Sequence, residues 1–444
     1  MFGLLNQLKR LEKPIKIGIV GIGSIGRGMV LQSLITPGID CVAIADTDIN
    51  KAIAAADQFN YDYQIVESLQ EMHNAIQQGK LAISENGNLM ARCELLDVFV
   101  EATSSIVGGG KYGVLALEND KHLVMMNYEA DLMFGRYLMG LADEKERIYT
   151  VCDGDQPAVL RRMIDEIEFM GFKIVMAGNM KGFLDRYTNP TSIKPEADKR
   201  DLDHKMCASY TDGSKLCVEM AVLANGLNGR TAISGMYGPK LDNIHDVFDY
   251  FDFEKIWDGQ HPLVDYVLGA KPSGGVFVIG YTDNLYQQST LAWLPPNMGP
   301  GPFYLFYRPY HLCHFESIAT IAEAIINKRP VMKPDFGFKT NVYAYAKKDL
   351  SQGERLDGLG GYASYGLIEN CSDNEIIAGI PICLSEGATL KRGLAKDEKI
   401  TIEDVDLDTE SDGYKLYAKA VQANAMDINH IYDRSATALE VHAE

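Results

Sequence analysis

The sequence predicts an α/β protein whose N-terminal part is a doubly wound parallel sheet. Two observations predict this class: short apolar runs alternate with helix-like stretches, and the first run, Lys16–Val20, leads directly into a glycine-rich turn. The chain has 444 residues, which at about 150 residues per domain is enough for two or three domains. We expect the sheet in residues 1–160, an α+β domain in residues 161–340 and a small β-rich module in residues 341–444.

The glycine turn has the spacing G-x-G-x-x-G, formed by Gly21, Gly23 and Gly26. After a strand and before a helix, this spacing is typical of a Rossmann dinucleotide site. The first glycine permits the turn, the second lets a pyrophosphate approach the backbone, and the third lets helix and strand pack closely. The second apolar run, Cys41–Ala45, ends at Asp46, 20 residues after Gly26. The alternative is an ordinary glycine-rich turn without a ligand.

Asp46 also predicts which dinucleotide binds. A carboxylate at this position accepts hydrogen bonds from the ribose 2′-OH and repels a 2′-phosphate, so it favours NAD over NADP. Arg27 and Lys51 are nearby cations that leave NADP open as an alternative.

Further cofactor contacts are predicted at the glycine turn and at two strand ends. Ser24 and Ile25 open the helix after the turn, where free N–H groups attract phosphates. Thr103 closes the buried run Leu95–Thr103, and Asn127 follows the run His122–Met126. Because ligands of such sheets bind at the carboxyl ends of the strands, we expect Asn127 to hydrogen-bond the nicotinamide carboxamide or the substrate.

Between these strands, local signals predict the connections. Helix-like stretches cover Ile49–Gln58 and Glu67–Gln78, and Pro157 occupies the first turn of a helix. Asn86-Gly87 between two short apolar runs predicts a hairpin, and Gly108–Gly110 predicts a bend.

The middle of the chain has a different pattern. Predicted strands at Lys173–Gly178 and Val276–Tyr281 accompany a long helix, Asp212–Asn225, and a Pro/Gly-rich loop, Pro295–Pro302. Short strands punctuated by glycines follow after residue 340. This pattern indicates an α+β substrate domain and a β-rich C-terminal module.

Composition excludes several classes of partner. Acidic residues outnumber basic ones 61 to 42, for a net charge of −19, whereas binding to nucleic acid needs clustered cations. Eight cysteines form no C-x-x-C pair, as expected for reduced thiols in the cytoplasm. No apolar run reaches the ~18 residues of a membrane span, and no signal peptide is evident. We therefore expect a cytoplasmic protein with a small-molecule substrate, and a homo-oligomer by base rate.

Several segments resemble a known family. The strand Asp97–Thr103 and Met126-Asn127 resemble the nucleotide domain of homoserine dehydrogenases. A branch of that superfamily, homoserine dehydrogenase-like proteins with a C-terminal SAF module, includes enzymes like 1-deoxy-D-xylulose 5-phosphate reductoisomerase. The segments similar to this branch are Asp153–Pro157, Tyr210–Lys215, Tyr307–His314, Ile380–Leu384 and Gly393–Asp406.

One departure from that family bears on the substrate. Homoserine dehydrogenases place a catalytic lysine directly after the asparagine, where this chain has Tyr128 and Glu129. The resemblance therefore implies a hydroxy or keto substrate in place of homoserine.

The helix of the middle domain carries the first candidate catalytic set. Asp212, Lys215 and Glu219 lie on one face, either as a solvated stripe or as a substrate-binding face. Lys181 follows a strand end and is our first choice as the acid/base, because a lysine in a cleft can transfer its proton when its pKa is lowered.

The segment 308–316 carries the second candidate set. Arg308 is suited to clamp a phosphate or carboxylate, and His311 to transfer a proton. His311 and His314 beside Glu316 are only a weak indication of a metal site. We expect this segment to bind an anion and transfer a proton, and we assign no metal ligand to it. Asp153 and Asp155 are helix caps or, in a reductoisomerase, ligands of a divalent ion, so a metal stays possible.

These observations predict an NAD(P)-dependent oxidoreductase. It would move a hydride between nicotinamide and a hydroxy or keto carbon of a small sugar- or polyol-type substrate bearing a phosphate or an acid group. The alternatives are a reductoisomerase of the 1-deoxy-D-xylulose 5-phosphate type, a homoserine dehydrogenase, and an NAD(H)-binding sensor without catalysis.

Overall fold

The computed structural model describes residues 3–199, 202–371 and 379–425. Its largest sheet has seven strands, all parallel, in the order β3-β4-β2-β1-β5-β6-β7. The strands are β1 (Ile15–Val20), β2 (Ile39–Ala45), β3 (Tyr63–Ile65), β4 (Leu81–Ser84), β5 (Val98–Glu101), β6 (His122–Met125) and β7 (Tyr149–Val151). Because the strand order runs outward in both directions from β1, the sheet is doubly wound, and the predicted fold class is confirmed.

Helices connect these strands and cover both faces of the sheet. They are α1 (Leu4–Leu8), α2 (Ser24–Ile35), α3 (Ile49–Gln58), α4 (Leu69–Gln77), α5 (Gly87–Arg92), α6 (Ile106–Glu118), α7 (Tyr128–Glu144) and α8 (Gln156–Phe169). The helix predicted at Ile49–Gln58 has the predicted bounds, and Pro157 lies in the first turn of α8, where its missing N–H costs nothing.

Two local predictions are wrong. The segment at Asn86-Gly87 is no hairpin: the Asn86 side chain accepts a hydrogen bond from the Asn88 N–H and caps α5, while β4 joins the parallel sheet. Gly108–Gly110 is no bend but lies inside α6. A Cβ at Gly110 would lie 2.4 Å from the Phe134 ring, so the glycines allow α6 and α7 to pack closely.

The second sheet is mixed and has the order β11-β10-β8-β9. Its strands are β8 (Lys173–Lys181), β9 (Leu263–Leu268), β10 (Val276–Tyr281) and β11 (Phe303–Arg308). The α-helices of this part are α9 (Pro190–Asp198), α10 (His204–Thr211), α11 (Ser214–Leu227), α12 (Val247–Tyr250), α13 (Phe253–Ile256) and α14 (Leu285–Leu291). The long helix therefore begins two residues later than predicted. Asp212 caps the end of α10, and Gly213, with φ +87°, separates α10 from α11.

Helix α15 (Cys313–Ile326) returns to the first sheet. Its Ile318 and Ile321 join the core formed with Ile17 and Ile44. The packing is close at the start of α15, since a Cβ at Gly28 would lie 2.4 Å from the His314 ring. A segment predicted in the middle domain thus packs on the nucleotide fold, and the three-part division of the chain stays a prediction.

The C-terminal part contains two small antiparallel sheets. They pair β12 (Thr340–Ala346) with β13 (Ser364–Asn370), and β14 (Thr389–Leu390) with β15 (Val405–Asp406). Residues 412–425 are helical, and the predicted module extends beyond the described residues. Among the helices that are described, none is long and apolar enough to cross a membrane.

Candidate functional site

The glycine turn at the end of β1 has the geometry of a phosphate cradle. Gly21 has φ +90°, and a Cβ at Gly26 would lie 1.9 Å from the Gly21 carbonyl oxygen, so both positions need glycine. Gly23 differs, because a Cβ there would meet nothing within 4 Å. The open space faces the N-terminus of α2, opened by Ser24 and Ile25, which has no side-chain cap. Each glycine therefore has the environment that its predicted role requires.

Asp46 at the end of β2 supports this turn from the side. Its Oδ2 accepts a hydrogen bond from the Ile22 N–H at 2.7 Å, and its Oδ1 accepts one from the Asp48 N–H at 2.9 Å. The carboxylate is half-buried at the carboxyl edge of the sheet. We expect a ribose hydroxyl of the dinucleotide to bind the Asp46 carboxylate here, and this contact stays a prediction.

Glu101 at the end of β5 is a buried acid that the sequence reasoning did not assign. Burial raises its pKa to about 8, against hydrogen bonds from Thr103 and Asn127 that lower it. Glu101 accepts the Thr103 N–H at 2.9 Å and so shapes the loop after β5. An acid in the otherwise apolar run Val98–Glu101 was the signal that would have singled it out.

Asn127 is used by the fold. Its Oδ1 accepts the Ala130 N–H at 3.0 Å, which caps α7, and its Nδ2 donates to the Ser105 carbonyl at 3.1 Å. The side chain is 4% exposed. This geometry favours a structural role, joining α7 to the loop after β5, over the predicted direct contact with nicotinamide or substrate.

Lys215 on α11 is the centre of the candidate active site. Its Nζ lies 3.0 Å from a Glu129 oxygen and 3.7 Å from a Glu219 oxygen; both glutamates are buried, and the Lys215 side chain is 12% exposed. Burial alone would lower the pKa of Lys215, but the carboxylates of Glu129 and Glu219 raise it well above its ordinary value. Lys215 is therefore a permanently charged donor in a site largely closed to water.

Glu219 has the opposite character. Burial raises its pKa to about 8, helped by the charge of Asp155 and opposed by Lys215 and Lys181. The raised pKa favours the protonated form of Glu219 beside the charged lysine. Lys181 ends β8 and acts on Glu219 through its charge, so the structure brings both predicted lysines to one centre.

Tyr210 at the end of α10 completes the wall of this centre, and the sequence reasoning did not assign it. Burial raises its pKa to about 12, with Lys215 lowering it and the acids Glu129, Asp155 and Glu219 raising it. Its hydroxyl is a neutral hydrogen-bonding group at every physiological pH.

His311 reaches this region from the other side. Its Nδ1 lies 3.7 Å from an Asp155 oxygen and 3.3 Å from the Gly154 carbonyl oxygen. A Cβ at Gly154 would lie 1.8 Å from the Cys313 carbonyl oxygen, so glycine lets the segment before α15 close on the loop after β7. His311 therefore lies beside Asp155, and its role in proton transfer stays a prediction.

Arg308 is held by the chain itself. It forms an ion pair with Glu316 and lies over the Tyr310 ring, 4.3 Å from the centroid. Next to it, Arg162 pairs with Asp153 at 2.8 Å. Because both guanidinium groups face acids of the same chain, this geometry favours a structural role for Arg308 over the predicted clamp on a substrate anion.

The prediction that Asp212 shares a helix face with Lys215 and Glu219 is wrong. Its Oδ2 lies 2.8 Å from the Lys347 Nζ, and both side chains are buried. Lys347 also donates to the carbonyls of Thr188 and Gly361. Because Asp212 precedes α11 and turns toward the C-terminal module, it joins two parts of the chain and lies apart from Lys215 and Glu219.

Within the described residues, Asp155, His311 and Cys313 are the group whose ligand atoms lie close enough for a metal, within 4.8 Å of one another. Burial first, then nearby acids, raise the pKa of Cys313 to about 12, which keeps the thiol protonated. One oxygen, one nitrogen and one thiol do not suit Mg²⁺, which prefers oxygen ligands. His314 and Glu316, the other predicted candidates, are not in this group.

Comparison with known proteins gives one family match. Residues 154–317 match the family described as the catalytic domain of oxidoreductase DRL. The matched span contains Asp155, Lys181, Tyr210, Lys215 and Glu219, which line the candidate site. With the glycine turn, this match confirms the prediction of an enzyme, an NAD(P)-dependent oxidoreductase. A search of the curated proteins finds no match.

Solved structures give distant likenesses. Myo-inositol dehydrogenase from Lactobacillus casei, in complex with NAD(H) and myo-inositol, is 16% identical with a TM-score of 0.36, covering 60% of this chain and 72% of that one. A 3-ketoreductase from Actinomadura kijaniata, in complex with NADP and TDP-benzene, is 12% identical with a TM-score of 0.37, covering 72% and 91%.

Proposed function

We propose that this protein reduces an oxo group, or oxidises the matching hydroxyl group, on a small sugar- or polyol-type substrate with a nicotinamide dinucleotide. The observation that carries the proposal is the position of Lys215, largely shielded from solvent between the buried acids Glu129 and Glu219. Glu129 follows β6 of the nucleotide fold, whereas Lys215 and Glu219 lie on α11. The charged donor therefore belongs to the matched span and faces Glu129 of the nucleotide fold, at the edge where we expect the cofactor.

The dinucleotide fits the residues present. The Gly23 cradle has room for a pyrophosphate, and the uncapped start of α2 offers N–H donors to it. When bound, the nicotinamide supplies or accepts the hydride. Asp46 supports the preference for NAD, because its carboxylate would repel a 2′-phosphate.

The side chains around Lys215 bind the substrate oxygen, stabilise its charge and transfer a proton to it. Lys215 donates a hydrogen bond to the substrate oxygen and stabilises the negative charge that develops on it during reduction. Glu219, protonated at neutral pH, supplies the proton that converts this oxygen to a hydroxyl, and Lys181 stabilises the resulting carboxylate. Tyr210 is available to hydrogen-bond a second hydroxyl of the substrate. Lys215 thus replaces Lys181 as our first choice of catalytic lysine.

Cofactor titration and a substrate panel test this proposal. NADH and NADPH binding is followed by fluorescence, and turnover is screened with free and phosphorylated keto-sugars and with polyols. We expect Lys215→Met to bind NADH as the native protein does and to lose turnover. Lys205→Met is the matched control, because Lys205 is an exposed lysine paired with Glu386. Binding without turnover on any substrate, with or without Mg²⁺ or Mn²⁺, would refute the enzyme and support a sensor.

The preference for NAD has its own test. Asp46→Asn keeps an acceptor for the Ile22 N–H but loses the charge. We expect the ratio of the NADPH Kd to the NADH Kd to fall by about 10-fold or more, since the repulsion of a 2′-phosphate is removed. A native protein that prefers NADPH would contradict the assignment.

A reductoisomerase of the 1-deoxy-D-xylulose 5-phosphate type is the second candidate. Its support is that the segments resembling that branch, Asp153–Pro157, Tyr210–Lys215 and Tyr307–His314, contribute to one region of the structure. Rearrangement of the carbon skeleton would then precede reduction. The set Asp155, His311 and Cys313 does not fit a hard divalent ion, so we derive no step through a metal. Turnover of the phosphorylated pentulose that depends strictly on Mg²⁺ or Mn²⁺ would favour this candidate.

A further inference from the structure

Glu101 lies beside the crevice in which doubly wound sheets bind their ligands. The chain leaves β1 toward β2 on one side, whereas β5 lies on the other side of β1. Ligands of such sheets bind beyond the carboxyl ends of the strands at this change of direction. Glu101 is the last residue of β5, opposite Val20 of β1 and Met125 of β6, and it is 0% exposed. A buried acid therefore ends a strand that borders the crevice.

The loop after Glu101 packs directly on the glycine turn. The Ala102 N–H donates to the Val20 carbonyl at 2.9 Å. A Cβ at Gly21 would lie 2.6 Å from the Ala102 carbonyl oxygen and 2.6 Å from the Thr103 nitrogen. Because the loop and the phosphate cradle are in contact, a change in the conformation of the loop acts on the cradle as well.

The side chain of Glu101 holds this loop. Its Oε1 accepts the Thr103 N–H at 2.9 Å. The end of the loop is held by Asn127, whose Nδ2 donates to the Ser105 carbonyl at 3.1 Å. A Cβ at Gly109 would lie 2.9 Å from the Asn127 Nδ2 and 3.0 Å from the Glu101 Oε2. The glycine in α6 thus leaves the space that both side chains need.

Titratable groups face Glu101 from α6, α7 and β7. Burial is the largest cause that raises the pKa of Glu101 to about 8, and the charge of Glu129 on α7 raises it further. Burial, with the charge of Glu101 among the other causes, also raises the pKa of Tyr112 on α6 and of Tyr149 on β7, so both phenols stay neutral. Glu101 is therefore the group of this set that changes its charge just above neutral pH.

We propose that Glu101 positions the loop of residues 102–105 for the dinucleotide in its uncharged form, and that dinucleotide binding is coupled to the uptake of a proton from solvent by Glu101. This inference rests on the proposed function, because it needs a dinucleotide in the crevice. The pyrophosphate brings two negative charges, which repel a buried carboxylate strongly where little water screens them. The protonated carboxyl group still accepts the Thr103 N–H through its carbonyl oxygen.

Fluorescence titrations with NADH, in the absence of substrate, test the coupling. We expect the NADH Kd of the native chain to rise by about 5-fold or more from about pH 6.5 to about pH 9.5, as when a ligand raises the pKa of one group by about one unit. Glu101→Gln keeps an acceptor for the Thr103 N–H but cannot ionise, so it should lose this dependence and bind as the native chain does at low pH. Glu219→Gln is the matched control and should keep the dependence, because it removes another acid whose pKa is raised to about 8.

Calorimetry of the native chain gives a second measurement that needs no variant. NADH binding is measured at about pH 8.5 in two buffers of different ionisation enthalpy, and the difference gives the number of protons taken up. We expect an uptake of about half a proton per NADH, the value for a pKa that rises from about 8 to about 9. Glu101→Gln should take up none.

The outcomes separate this inference from the proposed function. NADH binding without proton uptake, a pH dependence that persists in Glu101→Gln, or one that is lost in Glu219→Gln would overturn the role of Glu101 and leave the proposed function standing. A native chain that binds neither NADH nor NADPH at any pH would overturn both.

Discussion

Removing the charge of Lys215 should cost both stability and activity, and the two losses can be separated. Lys215→Met leaves the Glu129 carboxylate, 5% exposed, without its partner at 3.0 Å. At an effective dielectric of about 20, a pair at this distance interacts by ~5 kcal/mol, and breaking buried pairs typically costs about 3–5 kcal/mol. Glu219 adds little, because burial raises its pKa and favours its uncharged form.

The double variant Lys215→Met/Glu129→Gln separates the two effects. It removes both charges, so we expect it to regain most of the stability that Lys215→Met loses. At roughly 2 °C per kcal/mol, the single variant should melt about 6–10 °C below the native protein in a thermal scan, and the double variant within about 3 °C of it. Turnover should be lower by about 10²–10⁴ in both variants, since neither supplies the donor.

Two outcomes would refute this reasoning. A double variant that turns over substrate within about 10-fold of the native rate would show that Lys215 only balances Glu129. A single variant that melts at the native temperature would show that the Glu129 side chain does not need Lys215 as its partner, contrary to the geometry of the pair.

Three other predictions follow from the geometry. Gly26→Ala should prevent folding of the nucleotide fold, because its Cβ would lie 1.9 Å from a carbonyl oxygen. Gly23→Ala should melt within about 1 °C of the native protein in a thermal scan, because its Cβ would meet nothing within 4 Å, but should lose NADH affinity by at least ~10-fold in a titration. Lys347→Met should destabilise the protein by about 3–5 kcal/mol in denaturant titration, because it leaves Asp212 unpaired, with KM and kcat unchanged. In steady-state assays with NADH, the rate of reduction should fall as the pH rises through about 8, where Glu219 loses its proton, and Glu219→Gln should remove this dependence.

The parallel sheet could be predicted from the sequence because its signals are local. Buried strands such as Lys16–Val20 form continuous apolar runs, and the spacing of the glycines fixes the turn that follows. The errors arose where one local signal serves two structures. Asn86-Gly87 suits a hairpin but also a helix cap, and Gly108–Gly110 suits a bend but also a close helix contact, which only the position of Phe134 decides.

The candidate site was less predictable, because its contacts join distant parts of the chain. The spacing of Lys215 and Glu219 on one helix indicated a pair, and the strand end before Glu129 indicated that Glu129 lies at the crevice, but no local signal indicated that the two would meet. The same limit applies to Asp212, which shares the spacing but turns to Lys347. An acid in the first turn of a helix that follows a strand, as at Glu129, is the local feature that indicates a site residue.

The position of Glu129 bears on the sequence resemblance to homoserine dehydrogenases. In those enzymes the resemblance places a catalytic lysine just after the asparagine, where this chain has Tyr128 and Glu129. Here α11 supplies the cation from the facing wall, with the Lys215 Nζ at 3.0 Å from the Glu129 carboxylate. On the proposed function, Lys215 takes the role that the resemblance gives to that lysine, from a different element of the chain. Because Glu129 and Lys215 come from different parts of the fold, the ion pair forms only when the nucleotide fold and α11 are packed together. On the proposed function, that packing positions the charged donor.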